Sequence, residues 1–218
     1  MLGATRQKAV WRSGWRGVLV AGLMVPIITL ASAMQPDVLV RTTTDKIMNL
    51  LRTNHALYEK DNKKLREMVY AEILPHFDFT AMSKLVLGRH WRDATDKQRE
   101  AFTGEFRDLL VRTYSTALLK YSDQDIVYLP YRGRPEDRST TVSVEIRQKA
   151  VGVAPIPMQY SFFNRDNVWK VYDVTIDGIS LVTNYRSTYS EKIKNQGLDA
   201  LIADLAKMPS DPVAKKKN

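Results

Sequence analysis

The stretch at residues 169–186, WKVYDVTIDGISLVTNYR, decides the fold of this chain. Its first eight residues are dense in aromatic and β-branched side chains, which predicts a strand. Gly178 supplies a turn, and the apolar residues that follow it return at helical spacing, so a helix is predicted next. The stretch contains no catalytic triad, metal cluster or phosphate loop. We therefore expect a strand and a helix that together enclose apolar volume.

A second informative stretch, FDFTAMSKLVLGRHWRDATDKQREAF, occupies residues 77–102. Together with residues 169–186 it resembles the MlaC family, also called the toluene-tolerance family of periplasmic phospholipid-binding proteins. The most specific parts are VLGR at 86–89, followed by Trp91 and Arg92, and the helix start at Thr95. The likeness covers most of the chain after residue 33. It implies a carrier that moves phospholipid between the two membranes of a Gram-negative envelope.

The first 33 residues have the three-part pattern of a secretory signal peptide. Four cations without an acidic residue precede a 14-residue apolar run, and Ala31-Ser32-Ala33 supplies the A-x-A cleavage site. A membrane anchor is the alternative, but an apolar run of 14 residues interrupted by Pro26 is shorter than the roughly 20 that span a bilayer. We expect cleavage after Ala33, export to the periplasm, one phospholipid-binding domain at 34–208, and a basic disordered tail at 209–218.

Composition argues against a disulfide-stabilised protein and gives little support for a nucleic-acid-binding one. The chain has no cysteine, so an exported form is stabilised by an ordinary core rather than by disulfides, and 185 residues suffice for one such core. Of the formal charge of +9, the leader contributes +4 and the tail +2, which leaves +3 for the domain. That charge is weak support for nucleic-acid binding, and we expect a monomer without a nucleic-acid partner.

The order of the periodic segments predicts the α+β class. Helical spacing precedes a block of strands, and helices return after it. Thr95 and Gln98 have the spacing of a capping box, and Asp78 and Gly88 bracket a short helix. We predict an antiparallel four-stranded sheet packed against several helices, with an apolar cavity between sheet and helices. The predicted helices are 37–52, 62–73, 78–88, 95–121, 179–194 and 198–208, and the predicted strands are 126–129, 142–146, 158–163 and 168–176, with a hairpin at 164–167.

Residues that could perform catalysis are scattered. His55, His76 and His90 lie in different segments without i, i+4 partners, so the sequence does not support a metal site. Asp173 and Asp177 are four residues apart, and on a strand this spacing puts them on one face. Paired carboxylates can serve as acid and base, but a structural role for aspartates next to a turn is the simpler interpretation. We therefore expect no enzyme, no metal and no cofactor other than bound phospholipid as cargo.

Apolar side chains on both faces of the last strand suggest a lined cavity. We place Trp169 and Val171 on one face, and Tyr172, Val174 and Ile176 on the other. Such residues more often simply pack, and only the family resemblance favours a lipid site. The lipid-binding candidates are Phe79, Met82, Val86, Phe106, Leu109, Tyr114, Tyr160, Trp169, Tyr172, Val174, Ile179, Val182 and Tyr185, and the candidates for headgroup or partner contact are Arg89, Arg92 and Arg186.

The resemblance implies partners as well as cargo. These are glycerophospholipid, an inner-membrane Mla ABC transporter complex and an outer-membrane lipoprotein associated with a porin, and the implied role is to maintain outer-membrane lipid asymmetry. Two alternatives stay open on the residues alone. One is a small enzyme that acts on an apolar ligand with Asp173 or Asp177 as acid or base, and the other is a periplasmic adaptor that binds no lipid.

Overall fold

The computed structural model describes residues 34–150 and 152–208. The predicted leader and tail lie outside these residues. None of the helices described is long and apolar enough to cross a membrane. The helices are α1 (Pro36–Thr53), α2 (His55–Lys60), α3 (Asn62–Glu72), a 3₁₀ turn (Leu74–His76), α4 (Phe79–Leu87), α5 (His90–Asp93), α6 (Asp96–Lys120), α7 (Leu181–Gln196) and α8 (Leu198–Lys207).

The helix starts confirm the capping predictions. At the start of α6, Thr95 Oγ1 accepts from the backbone N–H of Gln98 at 3.2 Å, and Gln98 Oε1 accepts from that of Thr95 at 3.0 Å. At the start of α4, Asp78 Oδ1 accepts from the backbone N–H of Ala81 at 2.8 Å. The sequence did not indicate α2 and α5, because helices of six and four residues are too short to show a period.

The strands form one antiparallel meander in the order β1-β2-β3-β4-β5. The predicted hairpin between β3 and β4 is present, and its two turn residues, Asp166 and Asn167, have φ values of 52° and 61°. Positive φ at both central residues matches the right-handed twist of the strands that the turn joins. The strands are β1 (Asp125–Tyr128), β2 (Ser139–Arg147), β3 (Ile156–Arg165), β4 (Val168–Ile176) and β5 (Ile179–Ser180).

The sheet has five strands rather than the predicted four. After β4 the chain turns at Asp177 and Gly178, whose φ values are 50° and 77°. A two-residue turn of this kind returns the chain beside the strand it left, so Ile179 pairs with Ile176 as β5 before α7 begins at Leu181. The sequence prediction placed Ile179 in the helix because it did not resolve so short a strand.

A β-bulge in β4 corrects the predicted alternation. Phe162 of β3 pairs with Val171, whereas the preceding residue, Ser161, pairs with Asp173, so Tyr172 is an extra residue in β4. An extra residue reverses the alternation beyond it. Val174 and Ile176 therefore line the same side as Val171, and the prediction that they lie on opposite faces was wrong.

Candidate functional site

A pocket of about 370 Å³ lies between the helices and the sheet. Its walls come from α1, α3, the 3₁₀ turn, α4, α6, four strands of the sheet and the first residue of α7. The side chains that line it are overwhelmingly apolar. A volume in the hundreds of cubic ångströms and a lining of this kind are typical of sites for small apolar or amphipathic ligands.

The floor of the pocket is the inner face of the sheet. On β4 the bulge brings Val171, Val174 and Ile176 to this floor together. The neighbouring strands contribute residues at alternate positions, as the period of a strand requires. These are Ile156, Met158, Tyr160 and Phe162 from β3, Val144 and Ile146 from β2, and Ile126 from β1.

The roof of the pocket is built mainly by α1 and α6. Ser115 on α6 is a polar residue in this roof, and its hydroxyl donates to the carbonyl of Val111 one turn earlier. This hydroxyl therefore uses its hydrogen bond within its own helix rather than toward the pocket. The apolar residues of the roof are Leu39, Val40, Ile47 and Met48 from α1, with Leu110, Val111, Tyr114, Ala117 and Leu118 from α6.

Tyrosine hydroxyls at and behind the wall stay neutral at ordinary pH. Burial raises the pKa of Tyr160 to about 12, and it also raises the pKa of Tyr114, which lines the pocket. Behind Tyr114, burial likewise raises the pKa of Tyr185 and of Tyr189. At ordinary pH, Tyr114 and Tyr160 in the wall can therefore offer neutral hydroxyls to a ligand.

Five of the thirteen lipid-binding candidates line the pocket: Phe79, Met82, Tyr114, Tyr160 and Val174. Met82 is fully buried and belongs to α4, and its flexible thioether can adapt to ligands of different shape. Phe79 stacks on Phe77, which also lines the pocket, with 5.7 Å between ring centroids.

The other eight candidates do not line the pocket. Four of them belong to the buried core among α4, α6, α7 and α8, where helix packs on helix behind the pocket wall, and Tyr185 packs against that core. Tyr185, for example, packs edge-on against Phe106 at 5.2 Å. Sequence periodicity identifies apolar faces but does not tell a wall from a core. The five are Val86, Phe106, Leu109, Val182 and Tyr185.

The last three candidates are placed by β4 and the turn after it. Trp169 is buried in the cluster that includes Val142 and Phe162. Tyr172, the extra residue of the bulge, stacks on Phe163 with 3.7 Å between ring centroids. Ile179 is 60% exposed, because the tight turn at Asp177 and Gly178 places it in the edge strand β5.

The three candidate arginines lie on the surface and do not line the pocket. Arg186 on α7 packs its guanidinium against Gly88 at the end of α4, where an added Cβ would lie 3.2 Å from Nε and Nη2. Gly88 thus has a steric role as well as a positive φ of 54°. Arg89 and Arg92 are exposed beside it at α5. Contact between these arginines and a partner protein stays a hypothesis.

Asp173 and Asp177 do not form a carboxylate pair. Asp173 accepts hydrogen bonds from Ser180 Oγ at 2.6 Å and from the backbone N–H of Val182 at 3.0 Å, both at the start of α7. The strand β4 ends at Ile176, and Asp177 is exposed in the turn that follows. The prediction that both lie on one strand face was wrong, and Asp173 serves as an anchor between β4 and α7.

Sequence reasoning missed two parts of the site. One is the contribution of α1, whose adjacent pairs Leu39-Val40 and Ile47-Met48 make its apolar stripe wider than a plain core contact requires. The other is His76, which lines the pocket from the 3₁₀ turn. No local pattern marks His76. Among residues 34–150 and 152–208, no group of three or more His, Cys, Asp or Glu side chains is arranged to hold a metal ion.

Comparison with known proteins identifies the family to which this chain belongs. The family model described as MlaC protein matches residues 41–207. The chain belongs to the MlaC family. The match starts within α1 and ends at the last residue of α8, so it includes every residue that lines the pocket except Leu39 and Val40. The family predicted from the two sequence stretches is thereby confirmed.

Two relatives match the sequence of this chain over most of their length. The chain is 28% identical over 203 residues to the intermembrane phospholipid transport system binding protein MlaC of Haemophilus influenzae, covering 91% of this chain and 94% of that protein. It is 28% identical over 185 residues to the toluene tolerance protein ttg2D of Pseudomonas putida, covering 84% of each.

A solved structure is similar to the fold of this chain. The phospholipid-binding protein from Ralstonia solanacearum, solved in complex with a phospholipid, superposes with a TM-score of 0.73 at 26% identity. The superposition covers 80% of this chain and 96% of that one. The mixed α+β fold with an antiparallel sheet is therefore confirmed.

Proposed function

We propose that this protein is a periplasmic carrier that binds glycerophospholipids by their acyl chains and moves them between membrane complexes. The observation that carries the proposal is the dry pocket between α1, α6 and the inner face of the sheet. Two further facts support it. One relative is named an intermembrane phospholipid transport protein, and the Ralstonia solanacearum protein was solved with a phospholipid bound.

The physics of the task requires such a pocket. A sixteen-carbon chain exposed to water costs on the order of 13 kcal/mol, at about 0.8 kcal/mol for each methylene, and two chains cost about twice that. Phospholipid therefore crosses an aqueous compartment slowly without help. A carrier lowers the cost by enclosing the tails in apolar walls, while the hydrated headgroup stays at the surface.

The cellular setting is part of the same proposal. Residues 1–33 are a signal peptide that directs export and is removed, residues 34–208 are the lipid-binding domain, and residues 209–218 are a basic tail. The carrier exchanges lipid with an inner-membrane Mla ABC transporter complex and with an outer-membrane lipoprotein-porin complex, and so maintains outer-membrane lipid asymmetry. Entry and release of a tail require α1 and the other roof helices to part from the sheet.

The carrier has no catalytic step. Both oxygens of Asp173 already accept hydrogen bonds from the start of α7, and Asp177 lies in an exposed turn, so neither faces the pocket as a free acid or base. The adaptor alternative is opposed by the location of the apolar surface, because it lies inside a pocket rather than on a flat face.

Native mass spectrometry of residues 34–218, purified from a bacterial periplasm without detergent, tests the proposal. We expect phospholipid at near-stoichiometric occupancy, and extraction of the lipid counts its acyl chains. A folded protein that is empty after such a purification, and that takes up no lipid from vesicles, would contradict the carrier function.

A further inference from the structure

The apolar pocket has one side chain in its wall that can carry a positive charge. Among the described residues that line it, His76 alone is a histidine, lysine or arginine. It is half-buried, so part of the residue is open to solvent. His76 therefore marks a place where the dry interior meets water.

Two lysines contact residues that lie just before His76 in the sequence. Lys46 of α1 forms a salt bridge with Glu72, four residues before His76, and 59% of the lysine side chain is exposed. Lys170 of β4 donates from Nζ to the carbonyl of Pro75, the residue before His76. Lysines from α1 and β4 are thus held by residues four positions and one position before His76.

The charged groups that shift the pKa of His76 have a net positive charge. They are Lys170, Lys46 and Glu72, and burial together with the lysines lowers the pKa of His76. At neutral pH its ring is then mostly uncharged and donates one N–H, while the two lysines supply the charge against the single carboxylate of Glu72. An anion bound among them would meet one neutral donor and two ammonium groups.

We propose that Lys46 of α1, His76 of the 3₁₀ turn and Lys170 of β4 form the site for the phosphate of the bound lipid. We call the site formed by these three residues the seam. This inference rests on the proposed carrier function. A phospholipid phosphate carries one negative charge, and lysine binds phosphate as a point charge through charge-assisted hydrogen bonds. The headgroup can occupy this seam with one side still hydrated, which avoids the cost of burying it.

The present partners of the lysines can be exchanged for a phosphate. Lys170 donates to a neutral backbone carbonyl, and a phosphate oxygen is the stronger acceptor for an ammonium group. Lys46 exposes more than half of its side chain, so it can turn toward the seam while Glu72 stays close. Neither lysine lines the pocket itself, so only His76 connects this site to the pocket wall. Arg89, Arg92 and Arg186 belong to a different place, because Arg186 packs on Gly88 at the end of α4 and the other two lie at α5.

A competition between two lipids with the same tails isolates the phosphate. Lipid-free protein is offered dioleoylphosphatidylglycerol and dioleoylglycerol together, and the ratio of bound species is measured by native mass spectrometry. Comparing variants with wild type cancels the different partitioning of the two lipids. We expect the double variant Lys46→Met, Lys170→Met to lower the preference for the phospholipid about tenfold, since a hydrogen bond to a charged group is worth roughly that factor. Its uptake of dioleoylglycerol is expected to be unchanged.

Controls separate the possible failures. The double variant Arg89→Met, Arg186→Met removes the same charge from a different part of the surface and is expected to keep the wild-type ratio. The variant His76→Gln tests the histidine of the site without removing a lysine. An unchanged ratio in the lysine variant would overturn the phosphate site while leaving the carrier function intact. Failure of wild type to bind either lipid would instead refute the carrier function. Saturable binding of inorganic phosphate alone, lost in the lysine variant, would show a free-anion site and overturn the headgroup assignment.

Discussion

Asp173 on β4 accepts a 2.6 Å hydrogen bond from the hydroxyl of Ser180, the residue that caps α7. Its second oxygen accepts from the backbone N–H of Val182, and Ser180 Oγ accepts from that of Thr183. One carboxylate thus satisfies donors at a helix start and joins that helix to a strand that forms part of the pocket floor.

Replacing Asp173 tests whether this link is structural. We expect Asp173→Ala to lower the free energy of unfolding by about 1–3 kcal/mol, because the N–H of Val182 loses a partly buried partner. Asp173→Asn, which keeps an acceptor for Val182, is expected to cost less and to leave lipid transfer intact. Urea unfolding and a vesicle transfer assay measure the two effects, with Asp177→Asn in the exposed turn as control. Loss of transfer in a stable Asp173→Asn protein would favour the enzyme alternative.

A bulky residue at Val174 is expected to empty the pocket. Val174 is buried in the floor, so Val174→Trp fills space that the acyl chains need, at a cost of about 1–3 kcal/mol in stability from overpacking. Lipid that co-purifies with the protein, measured by extraction, is expected to fall. Ile179→Trp is the matched control, because Ile179 is exposed outside the pocket. Equal lipid content in both variants would remove Val174 from the site.

The contact between Tyr128 and Asp45 is expected to slow lipid release. Tyr128 on β1 donates to Asp45 on α1 at 2.7 Å, and the guanidinium of Arg41 lies 4.0 Å from the centre of the Tyr128 ring. Parting of α1 from the sheet must break this hydrogen bond, which is worth about 1 kcal/mol. We expect Tyr128→Phe to release lipid to acceptor vesicles several-fold faster while the ring still packs under Arg41.

Tyr70→Phe is the matched control for that experiment. Tyr70 on α3 donates to Asp108 on α6 at 2.6 Å, so it makes the same kind of bond. That bond joins two helices of the roof to each other rather than to the sheet, and it need not break when the roof parts from the floor. A similar acceleration in both variants would show that general loosening, not the contact of α1 with β1, controls release.

Protonation of His76 is expected to destabilise the protein. Its pKa in the folded state lies below the ordinary value of 6.5, because of burial and of Lys170 and Lys46. The unfolded chain therefore binds the proton more readily, and this contribution to stability is fully present above pH 6.5 and declines as the pH falls toward the lowered pKa. We expect His76→Gln to flatten the fall in unfolding midpoint between pH 7 and pH 5. A variant that follows the wild-type profile would show that other groups control it.

Local patterns were sufficient where neighbouring residues decide the structure. The capping box of Thr95 and Gln98, the hairpin turn at Asp166 and Asn167 and the cap at Asp78 all depend on contacts within a few residues, and all were predicted. Helix and strand periods were sufficient for the α+β class and the antiparallel sheet, and the two long stretches for the family.

Only the tertiary structure decided which apolar residues form a wall and which form a core. The bulge at Tyr172 reverses the alternation of β4 and turns Val174 and Ile176 toward the helices, because pairing with β3 left one residue unmatched. In the same way, Lys170 meets Pro75 across 95 positions of sequence. Periodicity depends on one element at a time, whereas a pocket depends on how several elements pack together, so the same apolar residue can line a ligand site or fill a core.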